Sequence, residues 1–113
     1  MEQNKAAALV DLAMKAGKIA GGEFAAERAV KSCEAKLLIL SEDASVNTVK
    51  KFGNMAAYRK IPVCRMLDKE SLGRAVGKGE RSCLAVTDEG FARHIAQLAA
   101  AAGQSSGADT ADR

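Results

Sequence analysis

"KLLILSEDAS", residues 36–45, decides the fold. Leu37 to Leu40 are apolar without interruption, and Lys36, Glu42 and Asp43 bound them. A strand with one wet face would alternate apolar and polar residues. A continuous run closed by charge reads instead as a strand covered on both sides. The residues that follow, "EDASVNT", are rich in side chains that cap helices and close tight turns. They predict a helix from about Ser45 to Arg59, with Val46, Val49, Gly53, Ala56 and Ala57 facing inward.

Outward from this strand the same alternation repeats. Upstream, "GGEFAAER" (21–28) opens a helix with Ala26, Ala29, Val30 and Cys33 on one face and Glu23, Glu27, Arg28, Lys31 and Glu34 on the other. The short "KIAG" before it is extended. The first helix runs from about Asn4, a capping residue, to Ala16, and Gly17 closes it in a left-handed conformation. Its apolar stripe is Leu9, Leu12, Ala13 and Ala16. Downstream, Pro62 introduces the extended "VCRML", and Asp68 caps the short helix "KESLGRAVG". "SCLAVTD" is the last extended run. It leads into "EGFARHIAQLAAAA", striped by Phe91, Ile95 and Leu98. From Gly103 on there is no large apolar group, and a disordered tail over 103–113 is expected. Helices thus separate all the short buried runs. The fold class is α/β, a three-layer αβα sandwich, in a single domain over residues 1–102.

The totals agree. A chain of 113 residues with 48% hydrophobic and 27% charged residues suits one soluble core. The net charge of +3 and pI near 8.9 permit an anionic partner without requiring one. Cys33, Cys64 and Cys83 form no Cys-x-x-Cys pair, and His94 is the only histidine. A structural zinc site needs four ligands, so no metal is expected. Free buried thiols in a reducing cytosol are the favoured reading, which places the protein in the cytoplasm. "AAALVDLAMKAGK" is interrupted by Asp11 and Lys15 and does not read as a secretory signal. No apolar run approaches a membrane span, so no membrane partner is expected.

Enzyme chemistry finds little support. "GRAVGKGE" (73–80) fails as a nucleotide phosphate loop: three residues separate Gly73 from Gly77, and neither Ser nor Thr follows Lys78. His94 reads as a surface or half-buried helical side chain. No catalytic residue, cofactor or small-molecule substrate is expected.

Three loops remain. The first is Gly21-Gly22-Glu23-Phe24, at the start of the second helix. A helix N-terminus presents unpaired N–H groups and partial positive charge, which suit a phosphate. A plain glycine turn is the favoured reading from residue types alone. The second is Glu42-Asp43-Ala44-Ser45. The third, Gly77 to Ser82, carries Lys78 and Arg81 on either side of Gly79, as a flexible phosphate-gripping segment would. Lys50 and Lys51 read as a solvated helix face. With three Phe, one Tyr and no Trp, stacking platforms for unstructured strands are scarce. A shaped, structured RNA suits the composition better.

The order of these pieces resembles the kink-turn-binding ribosomal-protein family, and most closely its bacterial YlxQ-type branch. The resemblance rests on "KLLILSEDAS.NT.KK", "LGRAVGK" (72–78) and "LAVTDEGFA" (84–92), and spans about Leu9 to Leu98. It implies a four-stranded mixed sheet with helices on both faces. It also implies ribonucleoprotein function: RNA bound by the loop opening the second helix, assisted by the loop after the fourth. In that family the second helix opens with Gly, a small residue, Asn, Glu, two further residues and Lys. Here Gly22 matches the glycine, Glu23 the small residue, Phe24 the Asn, Ala25 the Glu and Arg28 the Lys. Glu42 and Asp43 match the family's acidic pair. Lys78, Gly79, Arg81 and Ser82 occupy its second RNA loop. Phe24 and Ala25 depart from the pattern, because neither side chain can bond to a guanine edge. Shape and phosphate contacts from Arg28, Lys78 and Arg81 are then what the resemblance leaves. Phe24 either stacks on an extruded base or packs, and packing is the commoner fate. Two functions stay open. One is a structured-RNA binder of the ribosomal-protein type, with ribosomal RNA among the candidate ligands. The other is a protein-interaction module on the same fold that has lost specific RNA reading. No heptad seam demands a dimer, and a monomer is expected.

Overall fold

The computed structural model describes residues 2–101. The tail expected over 103–113 lies outside them. Nine elements alternate: α1 (Glu2–Lys15), β1 (Ile19–Gly21), α2 (Glu23–Lys31), β2 (Leu37–Leu40), α3 (Val46–Arg59), β3 (Val63–Arg65), α4 (Lys69–Ala75), β4 (Cys83–Val86) and α5 (Glu89–Ala101). The strands form one sheet in the order β1-β4-β2-β3. β4 is antiparallel to both β1 and β2, and β2 is parallel to β3. The mixed four-stranded sheet implied by the resemblance is therefore present.

β2 and β4 are buried along their whole length, as the unbroken apolar run requires. Alternate side chains feed two cores. Leu37, Ile39, Leu84 and Val86 join Val10, Leu72 and Ile95 in the α1/α4/α5 layer. Leu38, Leu40, Cys83 and Ala85 join Ala26, Val30, Phe52 and Ala56 in the α2/α3 layer.

Several helix details differ from the sequence reading. α1 already begins at Glu2, so Asn4 lies inside it and not at its cap. Its buried stripe is Ala6, Val10 and Ala13, while Leu12 is 57% exposed. Gly17 closes the helix at φ 77° as expected. α3 faces inward through Thr48, Phe52 and Ala56, and Val46 is 73% exposed. α2 ends at Lys31, which leaves Cys33 beyond the helix, exposed, at φ 66°. Only Cys64 and Cys83 are the buried thiols expected, and burial pushes both up to about 12.

Candidate nucleic-acid interface

One end of the sheet gathers the first and third loops. β1 runs into α2 through Gly22, the N-cap, which adopts φ 98° and ψ 163°. An L side chain there would be strained. Space itself would admit one: a Cβ on Gly22 would stand 3.4 Å from Nε of Arg81, an ordinary contact. The side chain of Arg81 thus lies against the start of α2. The Gly22 N–H donates to the Cys83 carbonyl (2.9 Å), which ties this turn to the start of β4. No Gly22 side chain exists to cap the first turn of α2.

The loop after α4 is folded back on its helix. The Lys78 N–H donates to the Gly73 carbonyl (2.8 Å) and the Arg81 N–H to the Lys69 carbonyl (3.0 Å). Gly73 is buried against this loop, and a Cβ there would collide with the Gly79 carbonyl. Arg81 Nη1 donates to the carbonyls of Gly79 (3.2 Å) and Glu80 (2.9 Å), so its head group is held by its own loop.

Glu23 joins three elements. Its Oε2 accepts from Thr48 Oγ1 in α3 (2.9 Å) and from Ser82 Oγ before β4 (2.9 Å). Ser45 Oγ in turn accepts from the Thr48 N–H (3.1 Å), capping α3, and donates to Thr48 Oγ1 (3.0 Å). A polar pin thus fixes the N-termini of α2 and α3 against the end of the third loop. The result is an open cleft of about 450 Å³ lined by Gly21, Gly22, Glu23, Phe24, Ala25, Glu80, Arg81 and Ser82.

Phe24 does not pack. It is 76% exposed and also lines a neighbouring hollow of about 300 Å³ with Ala25 and Arg28. The Arg28 guanidinium stands 5.9 Å from its ring centroid, one helical turn on. The next turn is held differently. Glu27 bonds both Lys31 and Lys51, each at 2.8 Å. The two ammonium groups, Lys31 foremost, bring its carboxyl down to about 2, and the same bond raises Lys51.

Gly22, Glu23, Phe24, Arg81 and Ser82 therefore share one cleft, and Arg28 adjoins it through the ring. Lys78 and Gly79 are exposed on the same loop. Glu42 and Asp43 do not line the cleft. Asp43 Oδ1 accepts from the Lys69 N–H (3.0 Å) at the start of α4, and the Glu42 carbonyl accepts from Arg65 Nη2 (3.0 Å). Their loop still reaches the third one, since the Ser41 N–H donates to the Ser82 carbonyl (3.0 Å). Thr48 joins the site through Glu23 without having been singled out from the sequence, and Glu80 lines it from within the third loop. The Ser45-x-x-Thr48 cap spacing was the available signal for Thr48. Among the described residues no group of three or more His, Cys, Asp or Glu could hold a metal ion. No helix there is long and apolar enough to cross a membrane.

Comparison with known proteins adds five findings. The family model described as "Ribosomal protein L7Ae/L30e/S12e/Gadd45 family" matches residues 4–96. The chain is 40% identical over 90 residues to the RNA-binding protein YlxQ of Bacillus subtilis, covering 80% of this chain and 90% of that one. It is 31% identical over 96 residues to the RNA-binding protein YlxQ of Enterococcus faecium, covering 85% and 92%. Among solved structures, a Bacillus halodurans protein of unknown function superposes with TM-score 0.80 at 38% identity, over 83% of this chain and 95% of that one. The Giardia lamblia 15.5kD RNA binding protein superposes with TM-score 0.74 over 89% and 88%; at 19% identity it attests the fold alone.

Proposed function

The chain belongs to the ribosomal protein L7Ae/L30e/S12e/Gadd45 family, and from that premise we propose that it binds structured RNA at the cleft between the start of α2 and the loop after α4. The observation that carries this reading is the Arg81 arm laid across Gly22 beside an exposed Phe24. A guanidinium and the amides of a helix start suit a phosphate, and a bare aromatic ring suits a base. Arg28 and Lys78 add charge on either side.

The ligand is a folded RNA with a sharp bend, kink-turns included. Phe24 and Ala25 offer no hydrogen bond to a base edge, so recognition rests on shape, stacking and phosphate contacts. Such binding weakens steeply with salt, because phosphate contacts release counterions. The protein acts as a cytoplasmic monomer, uses no cofactor and performs no chemistry. The relatives named for RNA binding weigh against the protein-interaction reading, whose sign would be partners that persist in an RNase-treated lysate.

A gel-shift titration at fixed salt tests the site. Arg28→Ala with Lys78→Ala, and separately Arg81→Ala, should each lower affinity for a bulged RNA hairpin by about tenfold or more. Unchanged affinity in both would remove the cleft from the RNA surface.

A further inference from the structure

α3 carries no acidic residue. From Val46 to Lys60 it holds Lys50, Lys51, Arg59 and Lys60 and neither Asp nor Glu. Lys51 is bound to Glu27; no acid lies within salt-bridge distance of the other three among the described ion pairs. The helix starts at the cleft, where Thr48 meets Glu23. Its 14 residues carry it about 21 Å to the opposite end of the sheet.

At that end Arg59 and Lys60 share a depression of about 270 Å³ with Lys36, Cys33 and Pro62, and no acidic side chain lines it. Tyr58 is 82% exposed, with the Arg59 guanidinium 5.4 Å from its ring centroid. Lys60 closes α3 at φ 60° and ψ 40°, a conformation that glycine or asparagine adopts with less strain. Cations at a helix C-terminus are common because they complement its dipole. That accounts for Arg59 and Lys60. It does not account for Lys36, which precedes a strand, or for an entire helix without one acid.

We infer that the outer face of α3, ending in Lys36, Arg59 and Lys60, is a second phosphate-contact surface, which receives the backbone of a helical stem of the RNA held at the cleft. The inference rests on the proposed function. A stem leaving the cleft along α3 would pass Lys50 first and reach the terminal cluster about 15 Å beyond it. Charge complementarity sets the partner, and contacts made to phosphate carry no base identity.

Two RNA hairpins with the same bulge test it, one with short stems and one with each stem longer by about a helical turn. Affinities are read by fluorescence anisotropy across a salt series. The wild-type chain should bind the long-stem RNA with the steeper salt dependence. The triple substitution Lys36→Gln, Arg59→Gln, Lys60→Gln should lower that slope by about two to three and leave the short-stem RNA unaffected. Lys78→Gln with Arg81→Gln should weaken both RNAs, which locates the cleft independently. Equal slopes for the two RNAs in the wild type overturn the second surface while the cleft stands. A triple variant indistinguishable from wild type on the long stem does the same. If the triple variant loses binding of an acidic peptide but keeps the long stem, the surface serves a protein and the inference falls. A wild type that binds neither RNA overturns the cleft and the surface together.

Discussion

The two helical layers of the sandwich manage charge in opposite ways. In the α1/α4/α5 layer, three cations are paired with acids one turn away: Lys15 with Asp11, Arg74 with Glu70, Arg93 with Glu89. Such exposed pairs contribute little to stability, but they leave the surface near neutral. In the stretches 23–36 and 45–60, which build the α2/α3 layer, seven Lys and Arg face three acids, an excess of four where the whole chain has an excess of three. Two of those acids are engaged between elements: Glu23 with Thr48 and Ser82, Glu27 with Lys31 and Lys51. The remaining cations are left facing solvent. One layer balances its charge within its own helices, and the other leaves an excess of positive charge toward solvent.

The cores differ in the same sense. The α2/α3 layer is floored by small residues, Ala26, Ala29, Ala35 and Ala56, around the single buried ring of Phe52. The opposite layer spreads its volume over Val10, Met66, Leu72, Leu84 and Ile95. Phe52→Ala should therefore be the most damaging truncation, costing about 3–5 kcal/mol, because neighbouring alanines cannot fill the space. Ile95→Ala, with larger neighbours to relax around it, should cost about 2–3 kcal/mol. Denaturant unfolding of both variants measures the contrast, and equal losses would break it.

Much of this was legible in the sequence, and the exceptions share a cause. The unbroken run 37–40 announced a doubly covered strand, and glycines with cations marked the two loops that meet. The face of α3 was misjudged by apolar pattern, which favoured Val46 over Thr48. Thr48 can be buried because Ser45 and Glu23 satisfy its hydroxyl, and a hydropathy pattern cannot register a polar group satisfied from another element. Glu23 was read on the outer face of its helix and in the first candidate loop, but not as a link to other elements. Its partners lie 25 and 59 residues away, so only the fold brings them together. Cys33 looked buried because the helix seemed to continue. Instead the chain turns left-handed there.

Gly73 tests whether the scaffold layer sets the cleft on the binding layer. Its missing side chain lets the 77–82 loop lie against α4, where a Cβ would strike the Gly79 carbonyl. Backbone must move to admit it, so Gly73→Ala should cost about 1–3 kcal/mol. It should also weaken RNA binding, because the Arg81 arm moves with the loop. Thermal unfolding and a gel shift read the two effects. Lost stability with unchanged RNA affinity would separate the scaffold from the site.

The smallest effect concerns what joins α2 to α3 on the charged side. Glu27 holds Lys31 on its own helix and Lys51 on the next, and its carboxyl is depressed from 4.5 to about 2. A depressed carboxylate contributes stability that is fully present above its unfolded value and lost as pH falls through its folded one. Glu27→Gln should therefore lower the melting temperature slightly at neutral pH. Its gap from wild type should close between about pH 4.5 and 2 and shrink in high salt, since the group is solvent-screened. Lys31→Gln and Lys51→Gln should each reproduce part of the gap, with Lys31→Gln the larger; a contribution confined to α2 would leave Lys51→Gln without effect. If neither lysine variant moves the melting temperature and the Glu27→Gln gap is flat with pH, the two helices are joined by their shared apolar core and the Glu23–Thr48 bond. The excess charge of this layer would then have no part in holding it together.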